Sequence, residues 1–377
     1  MVTRIFSVSD ARALAKRRMP KMMFDYVDGA AGDEYACGLN QSMLDQIRLQ
    51  PRVLINVENR NLRKNLLGRE WDLPFGIAPM GMCDLAWPGG DRMLAAAAVK
   101  HNIPLTLSTM ASSNIEDTRA RAGENAWFQL YVGQSEEYAF DLVRRAAASG
   151  YDALILTVDV PMIAPRPREQ RNGFQSPVKI GPRQFFDFAT HPQWSIRTLL
   201  AGVPKLANNT DANANKKIVR NESRGKIDWK FLERLRQLWK GKLIVKGILS
   251  PRDAVRIRDA DIDAVYISNH GGRQLDSAPA AIQVLPSIRQ AVGDDYPLIF
   301  DSGVRNGEAV IKALACGADF VMIGRPFLYG MGAAGAHGLQ QIFDLLINQL
   351  DTTLAQLGRI SVEDIGHSVI LNENSDF

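Results

Sequence analysis

The amino-acid sequence predicts a single (β/α)8 TIM barrel, an α/β fold with a helical N-terminal extension and a long insertion after the fourth strand. Three observations predict it. Eight short, β-rich apolar runs recur along the chain. Amphipathic stretches with apolar residues at three- and four-residue spacing separate them, the alternation of a parallel sheet wrapped by helices. The length, 377 residues, suits one large barrel with insertions. With 46% apolar and 23% charged residues the composition is that of a soluble globular protein, which excludes disorder, collagen and coiled coil.

The elements follow in order. Residues 1–70 read as a helical preface, with Ser7 or Ser9 as N-cap ahead of Ala11 to Arg18 and Pro20 opening a second helix. Residues 71–330 form the barrel. Its strands are expected at Phe75 to Pro79, Pro104 to Ser108, Trp127 to Tyr131, Ala153 to Asp159, Leu243 to Lys246, Ala264 to Ser268, Pro297 to Asp301 and Phe320 to Ile323. Glu136 to Ala148, Trp229 to Trp239, Pro251 to Arg258 and Asn306 to Cys316 are among the helices between them. About 80 residues separate the fourth and fifth strands, far more than a βα connection requires. Within that insertion, 175–226, the part from Lys179 to Pro204 carries Phe185, Phe186, Phe188, Trp194, Ile196, Leu199 and Leu200, while NNTDANANKKIVRNESRGK is polar and basic. Such a pairing suits a lid or a membrane-interface segment; the alternative is an insertion folded over the barrel with its aromatics buried. Residues 331–377 close the chain as helices.

Charge and cysteine content narrow the partners. Lys plus Arg number 45 against 41 Asp plus Glu, too weak an excess for nucleic-acid binding. Cys37, Cys83 and Cys316 form neither a CxxC pair nor a metal-ligand spacing, so no metal and a reducing, cytoplasmic compartment are expected. Met1-Val-Thr-Arg-Ile-Phe lacks the pattern of a secretory leader and no apolar stretch reaches about 18 residues, so neither secretion nor a membrane span is expected.

In this fold the chemistry sits at the C-terminal strand ends. After strand seven stands Asp301-Ser-Gly-Val-Arg-Asn-Gly, and after strand eight Ile323-Gly-Arg-Pro, where glycines and a helix N-terminus suit a phosphate and Arg305 and Arg325 add charge. Lys246 ends strand five, so its ammonium enters the mouth and requires either a neighbouring acid or an electron-rich partner. Only His270, of five histidines, lies at a strand end, in Ser268-Asn-His-Gly-Gly-Arg273; a proton acceptor beside a carboxylate clamp is the implied pairing. Asp159 ends strand four and could orient His270, with loop capping as the alternative. Gln129 and Tyr131 put an amide and a phenol where barrel packing would prefer Val or Leu.

These residues carry a resemblance. From PKMMFDYVDGAAGDE through IAPMGM, LST, WFQLYV, LTVDVP, LIVKG, SNHGGRQLD and DSGVRNG to IGRP, the chain resembles the FMN-dependent L-2-hydroxy acid oxidase and dehydrogenase family over nearly its whole length. The resemblance implies FMN as cofactor. It implies flavin contacts from Ala78, Pro79 and Met80, ring hydrogen bonds from Ser108, Gln129 and Thr157, and a charge from Lys246 at the reduced ring. Ser268, Asp301, Gly303, Arg305, Gly324 and Arg325 would lie around the ribityl chain and phosphate. Tyr26, Tyr131, Arg166 and Arg273 match the substrate positions, with Arg168 as a competitor for Arg166. His270 matches the base and Asp159 its partner.

Departures bear on the substrate. Met110 stands where glycolate oxidases carry tryptophan, which implies a substrate larger than glycolate. Gly81 replaces their alanine and leaves dehydrogenase and oxidase behaviour open. The insertion and AWPGGD look most like the bacterial mandelate and lactate dehydrogenases, which implies a peripheral membrane contact through 180–204 on the cytoplasmic face of the inner membrane, electron transfer to quinone or another acceptor, and a homotetramer. The expected reaction is oxidation of a lactate- or mandelate-like L-2-hydroxy acid to the 2-keto acid. An FMN-barrel isomerase or an inactive flavin-binding module are the alternatives, and the cysteine that inosinate dehydrogenases need after strand six is missing from 268–276.

Overall fold

A computed structural model describes residues 4–133, 135–174, 180–208 and 224–371. Two short strands, β1 (Lys64–Leu66) and β2 (Arg69–Trp71), precede eight that close a barrel. These are β3 (Phe75–Met80), β4 (Leu105–Ser108), β5 (Ala126–Leu130), β6 (Ala153–Thr157), β7 (Lys242–Ile248), β8 (Ala264–Ile267), β9 (Leu298–Phe300) and β10 (Phe320–Ile323), all parallel, with β10 pairing β3 to complete the ring. Each lies within two residues of its sequence-based position.

Side chains alternate between the two faces of a strand, so the inward set can be followed upward. Trp127, Ile155, Ile244, Tyr266, Ile299 and Phe320 form one buried apolar cluster in the barrel interior. Two residues further along, the inward positions become Gln129, Thr157, Lys246, Ser268 and Asp301, all buried and all polar. The barrel is therefore apolar at its base and polar at its mouth.

The base is closed by the β1–β2 hairpin. Leu66 and Trp71 join the interior cluster, and the Trp71 and Trp127 rings meet edge to face at 6.0 Å. Its two-residue turn, Leu67 and Gly68, has positive φ at both positions, the twist a tight hairpin requires. This corrects the helical reading of the preface, which contains the helices Val8–Arg18, Lys21–Asp28 and Tyr35–Gln46 and then this hairpin. Ser7 is the cap of the first helix, its Oγ accepting from Asp10 N–H at 3.0 Å. After β10 the chain runs as Arg325–Gln356, broken at Ala334 and Gly335, followed by two short 3-10 turns.

Buried Asp28 ties three of these helices to one another and to the short helix Pro167–Arg171. It accepts from Arg12 Nε at 2.5 Å, Arg168 Nη1 at 2.6 Å and Tyr329 Oη at 2.7 Å. Burial alone would raise its pKa, but these donors hold the carboxyl well below its ordinary value of 3.8. A depressed acid contributes stability above its unfolded pKa and loses it as pH falls. Asp28→Asn is expected to cost about 3 kcal/mol at pH 7, read as a lower urea midpoint, with the difference from wild type shrinking below about pH 4.

The insertion lies over the mouth. The helix Pro192–Ala201 buries Trp194, whose indole N–H donates to Leu85 O at 3.0 Å and whose ring stacks on Phe188 at 5.8 Å. Asp187 accepts from Lys21 N–H at 3.0 Å, Ala207 N–H donates to Ala111 O at 3.1 Å, and Asn208 Oδ1 accepts from Ile115 N–H at 3.0 Å. Other side chains of the insertion are exposed: Phe186 and Leu200 are 69% and 84% exposed, and Phe185 and Leu199, 64% and 77% exposed, stand at the rim of the barrel mouth. The aromatics thus divide between the two expected outcomes. Most of the polar, basic half, 209–223, lies outside the described residues. No helix among the described residues is long and apolar enough to cross a membrane.

Candidate active site

A cavity of about 1420 Å³ opens at the C-terminal strand ends, lined jointly by the barrel mouth, the preface and the insertion. Its floor is a row of hydrogen bonds across adjacent strands. Ser108 Oγ donates to Gln129 Oε1 at 3.0 Å, and Gln129 Nε2 donates to Thr157 Oγ1 at 2.9 Å. Next in the ring, Lys246 Nζ donates to Ser268 Oγ at 2.6 Å and lies 3.3 Å from Asp301. Asp301 also accepts from Tyr266 Oη at 2.8 Å. Lys246 therefore meets both an acid and the Tyr266 ring, 4.8 Å away.

His270 follows β8 with φ of +60°, a left-handed conformation rare outside glycine and concentrated at functional sites. Its backbone N–H donates to Ser268 Oγ at 2.9 Å, and the Gly271 N–H to Ser302 Oγ at 3.0 Å, which over-determine the turn. Its Nδ1 lies 3.0 Å from Asp159 Oδ1, and its Nε2 3.1 Å from Tyr131 Oη. Asp159 reaches the ring because of Gly247, in the irregular part of β7: at φ of +103° any Cβ there would lie 2.5 Å from the Asp159 Cβ. Burial lowers the His270 pKa below its ordinary 6.5, with Lys246 and Arg166 adding to the fall and Asp159 opposing it. Burial alone would raise Asp159, yet its pairing with the His270 ring, strongest when that ring is protonated, and the Lys246 charge hold it below the usual carboxylate value. The pair rests as carboxylate and neutral imidazole, Nδ1–H donating to Asp159 and Nε2 left basic. Tyr131, its phenol pushed up by burial, stays protonated and donates to Nε2.

Two arginines face the same cavity. Arg273 Nη1 donates to Tyr26 O at 3.0 Å and Gly29 O at 2.5 Å, and its Nη2 to Glu169 Oε1 at 3.1 Å. Arg166 Nη1 donates to the same Glu169 oxygen at 3.2 Å, while the buried Arg166 Nε has no acceptor among the described residues. Arg168, the competing arginine, points elsewhere and pairs with Asp28 and Glu34. Tyr26 stacks on Phe174 at 4.7 Å and donates its hydroxyl to Gly81 O at 3.1 Å. A Cβ on Gly81 would lie 3.2 Å from the Met110 Cβ, so this wall is already close-packed.

On the other flank Arg305 and Arg325 are paired with no carboxylate among the described residues, and their side chains bond only backbone carbonyls. Gly303, at φ of +96°, lies where a Cβ would be 2.6 Å from Asn40 O. Two such guanidiniums beside glycines Gly303 and Gly324 fit a phosphate, and the polar floor fits the edge of a flavin ring. Ala78, Pro79 and Met80 line the cavity beside that floor.

A (β/α)8 barrel with two guanidiniums beside glycines after its last two strands, a polar floor and a paired acid–histidine couple suits a cofactor-dependent oxidoreductase. The family model for FMN-dependent dehydrogenases matches residues 15–372, and the chain belongs to that family and uses FMN. It is 38% identical to (S)-mandelate dehydrogenase of Pseudomonas putida, over 99% of this chain and 95% of that protein. With L-lactate dehydrogenase of Pseudomonas syringae pv. syringae it shares 36% identity, over 97% and 98%. The crystal structure of the monotopic membrane protein (S)-mandelate dehydrogenase superimposes with a TM-score of 0.94 at 38% identity, covering 98% of this chain and all of that one.

Most of the site residues expected from the sequence line this cavity; Gln129, Thr157, Ser268 and Asp159 stand behind its wall, bonded to Ser108, to Gln129, to Lys246 and to His270, and Arg168 does not reach it. Three participants were not anticipated. Glu169 follows Arg166 by three positions on a short helix, a spacing that pairs opposite charges and that could have revealed it. Tyr266 sits one inward position below Ser268 and follows from strand alternation. Arg224 comes from a stretch with no readable period, and nothing in the sequence marks it.

Proposed function

We propose that the chain oxidises an L-2-hydroxy acid bearing a bulky apolar side chain to the 2-keto acid. The observation that carries this is the convergence, on one cavity, of the Asp159–His270–Tyr131 row and the Arg166–Arg273 pair, the former arginine with a buried donor that meets no acceptor among the described residues. FMN, when bound, supplies the two-electron acceptor. Arg166 and Arg273 bind the carboxylate and fix the acid, removing much of the entropic cost of reaction. His270 Nε2 receives a proton from the bound acid, and Asp159 stabilises the imidazolium that results. Tyr131 and Tyr26 hold the hydroxyl and carboxylate. The preference for bulk is supported by Met110, Val160, Ile163 and Phe174 on the cavity wall, and mandelate, the substrate named for a relative, fits it better than glycolate. Anaerobic mixing of the yellow protein with a panel of L- and D-2-hydroxy acids tests the reading. Loss of flavin colour with large L-acids is expected; no loss with any acid would overturn it, and rapid return of colour in air would make the enzyme an oxidase.

The acceptor reading is a membrane quinone, reached by peripheral binding of the insertion to the cytoplasmic face. It is supported by the exposed Phe185, Phe186, Leu199 and Leu200 with Arg183, Arg197 and Lys205 exposed among them, a pattern suited to an anionic lipid surface. Phe186→Ser with Leu200→Ser is expected to weaken flotation with anionic vesicles at least about tenfold, from the apolar area removed; unchanged flotation would exclude this face. Self-association, to the homotetramer that the resemblance implies, is supported by exposed Val53, Leu54 and Ile360.

A further inference from the structure

We infer that Arg224, at the far end of the insertion, is a positioning residue for Tyr131 and so ties the insertion to the chemistry. The inference rests on the role of Tyr131 in the proposed reaction. Arg224 is 3% exposed and lines the active-site cavity, although it belongs to the segment between β6 and β7 rather than to a barrel strand. Its guanidinium carbon lies 4.7 Å from the centre of the Tyr131 ring, within the range of a cation–π contact. Its backbone N–H donates to Pro161 O at 2.7 Å, in the loop that also carries Asp159. One residue thus holds the insertion against the loops after both β5 and β6. These two loops supply the phenol and the carboxylate on either side of His270.

The physical consequence is specific. A desolvated cation over the ring face fixes the plane of the phenol and favours negative charge on its oxygen. Both effects strengthen the O–H as a donor toward His270 Nε2, 3.1 Å away, and toward a substrate oxygen arriving between them. A methionine of similar length fills the space without the charge. The insertion's opposite anchors, Trp194 on Leu85 and Ala207 on Ala111, do not involve Arg224 and would keep the segment in place.

The test is a double-mutant cycle on the FMN-loaded enzyme with Arg224→Met, Tyr131→Phe and the pair, following kcat, KM and flavin content. Arg224→Met is expected to lower kcat about tenfold with flavin content unchanged and KM little altered, and Arg224→Lys to recover part of the loss. In the Tyr131→Phe background the same substitution should have almost no further effect, because the hydroxyl through which it acts is gone. An equal loss in both backgrounds, or a loss confined to KM, would overturn the inference and make Arg224 a substrate contact or an anchor of the insertion. If Tyr131→Phe alone leaves kcat unchanged, the failure lies in the role given to Tyr131 instead.

Discussion

His270→Gln is expected to lower kcat by about 10²–10⁴-fold, the usual contribution of a positioned general base, while the protein stays yellow. Glutamine keeps a polar group of similar reach but has no nitrogen that can take a proton. FMN should remain because the groups around its cradle and floor do not depend on the imidazole: Arg305 and Arg325 are held by backbone carbonyls, and Ser108, Gln129 and Thr157 bond one another. Stopped-flow bleaching of the flavin checks the expectation directly, and near-normal turnover would remove His270 from the reaction. The wild-type pH profile gives an independent check. Burial and the nearby Lys246 and Arg166 charges favour the neutral imidazole, so the basic form survives to more acid pH than in a free histidine. Activity should rise with pH through an apparent pKa below 6.5 and then stay level across neutral pH. Asp159→Asn removes the group that opposes this shift and that stabilises the protonated ring, so it should lower both the pKa and the rate.

Much of this site is readable in the sequence because a β-strand repeats every two residues. Once Trp127, Ile155 and Ile244 are placed inside the barrel, Gln129, Thr157 and Lys246 must also point inward, one layer higher. Polar residues in that layer are costly without partners, so strand periodicity alone marks them as functional. The β1–β2 hairpin escaped for the converse reason. Three residues per strand are too few to display alternation, and only the tertiary contact of Trp71 with Trp127 selects strand over helix. Arg224 is further out of reach, since its place depends on how an irregular insertion folds back across the mouth. The insertion's apolar side chains divide between burial and exposure. The helix Pro192–Ala201 turns Trp194 into the barrel mouth, while Leu200 remains in solvent.

The second large effect belongs to Arg273. Its side chain bonds two backbone carbonyls and Glu169, and it is buried beside Arg166, so desolvation and the neighbouring charge both work against its own charge. Glu169 shares one oxygen between the two guanidiniums and offsets one of their two charges. The remaining positive charge would be matched by a single carboxylate, the group that the proposed substrate brings. Arg273→Met removes that charge, leaves Glu169 facing Arg166 alone, and makes the cluster neutral before substrate arrives. Removing one partner of a buried charge pair costs about 2–5 kcal/mol, so kcat/KM should fall by a factor on the order of 10²–10³. Guanidinium added to the medium should restore part of the activity by occupying the vacated space. Arg273→Lys should recover little, because an ammonium cannot reach Tyr26 O, Gly29 O and a carboxylate in the same planar fork. Full activity in Arg273→Met, with the acid still bound tightly, would transfer the clamp to Arg166 alone.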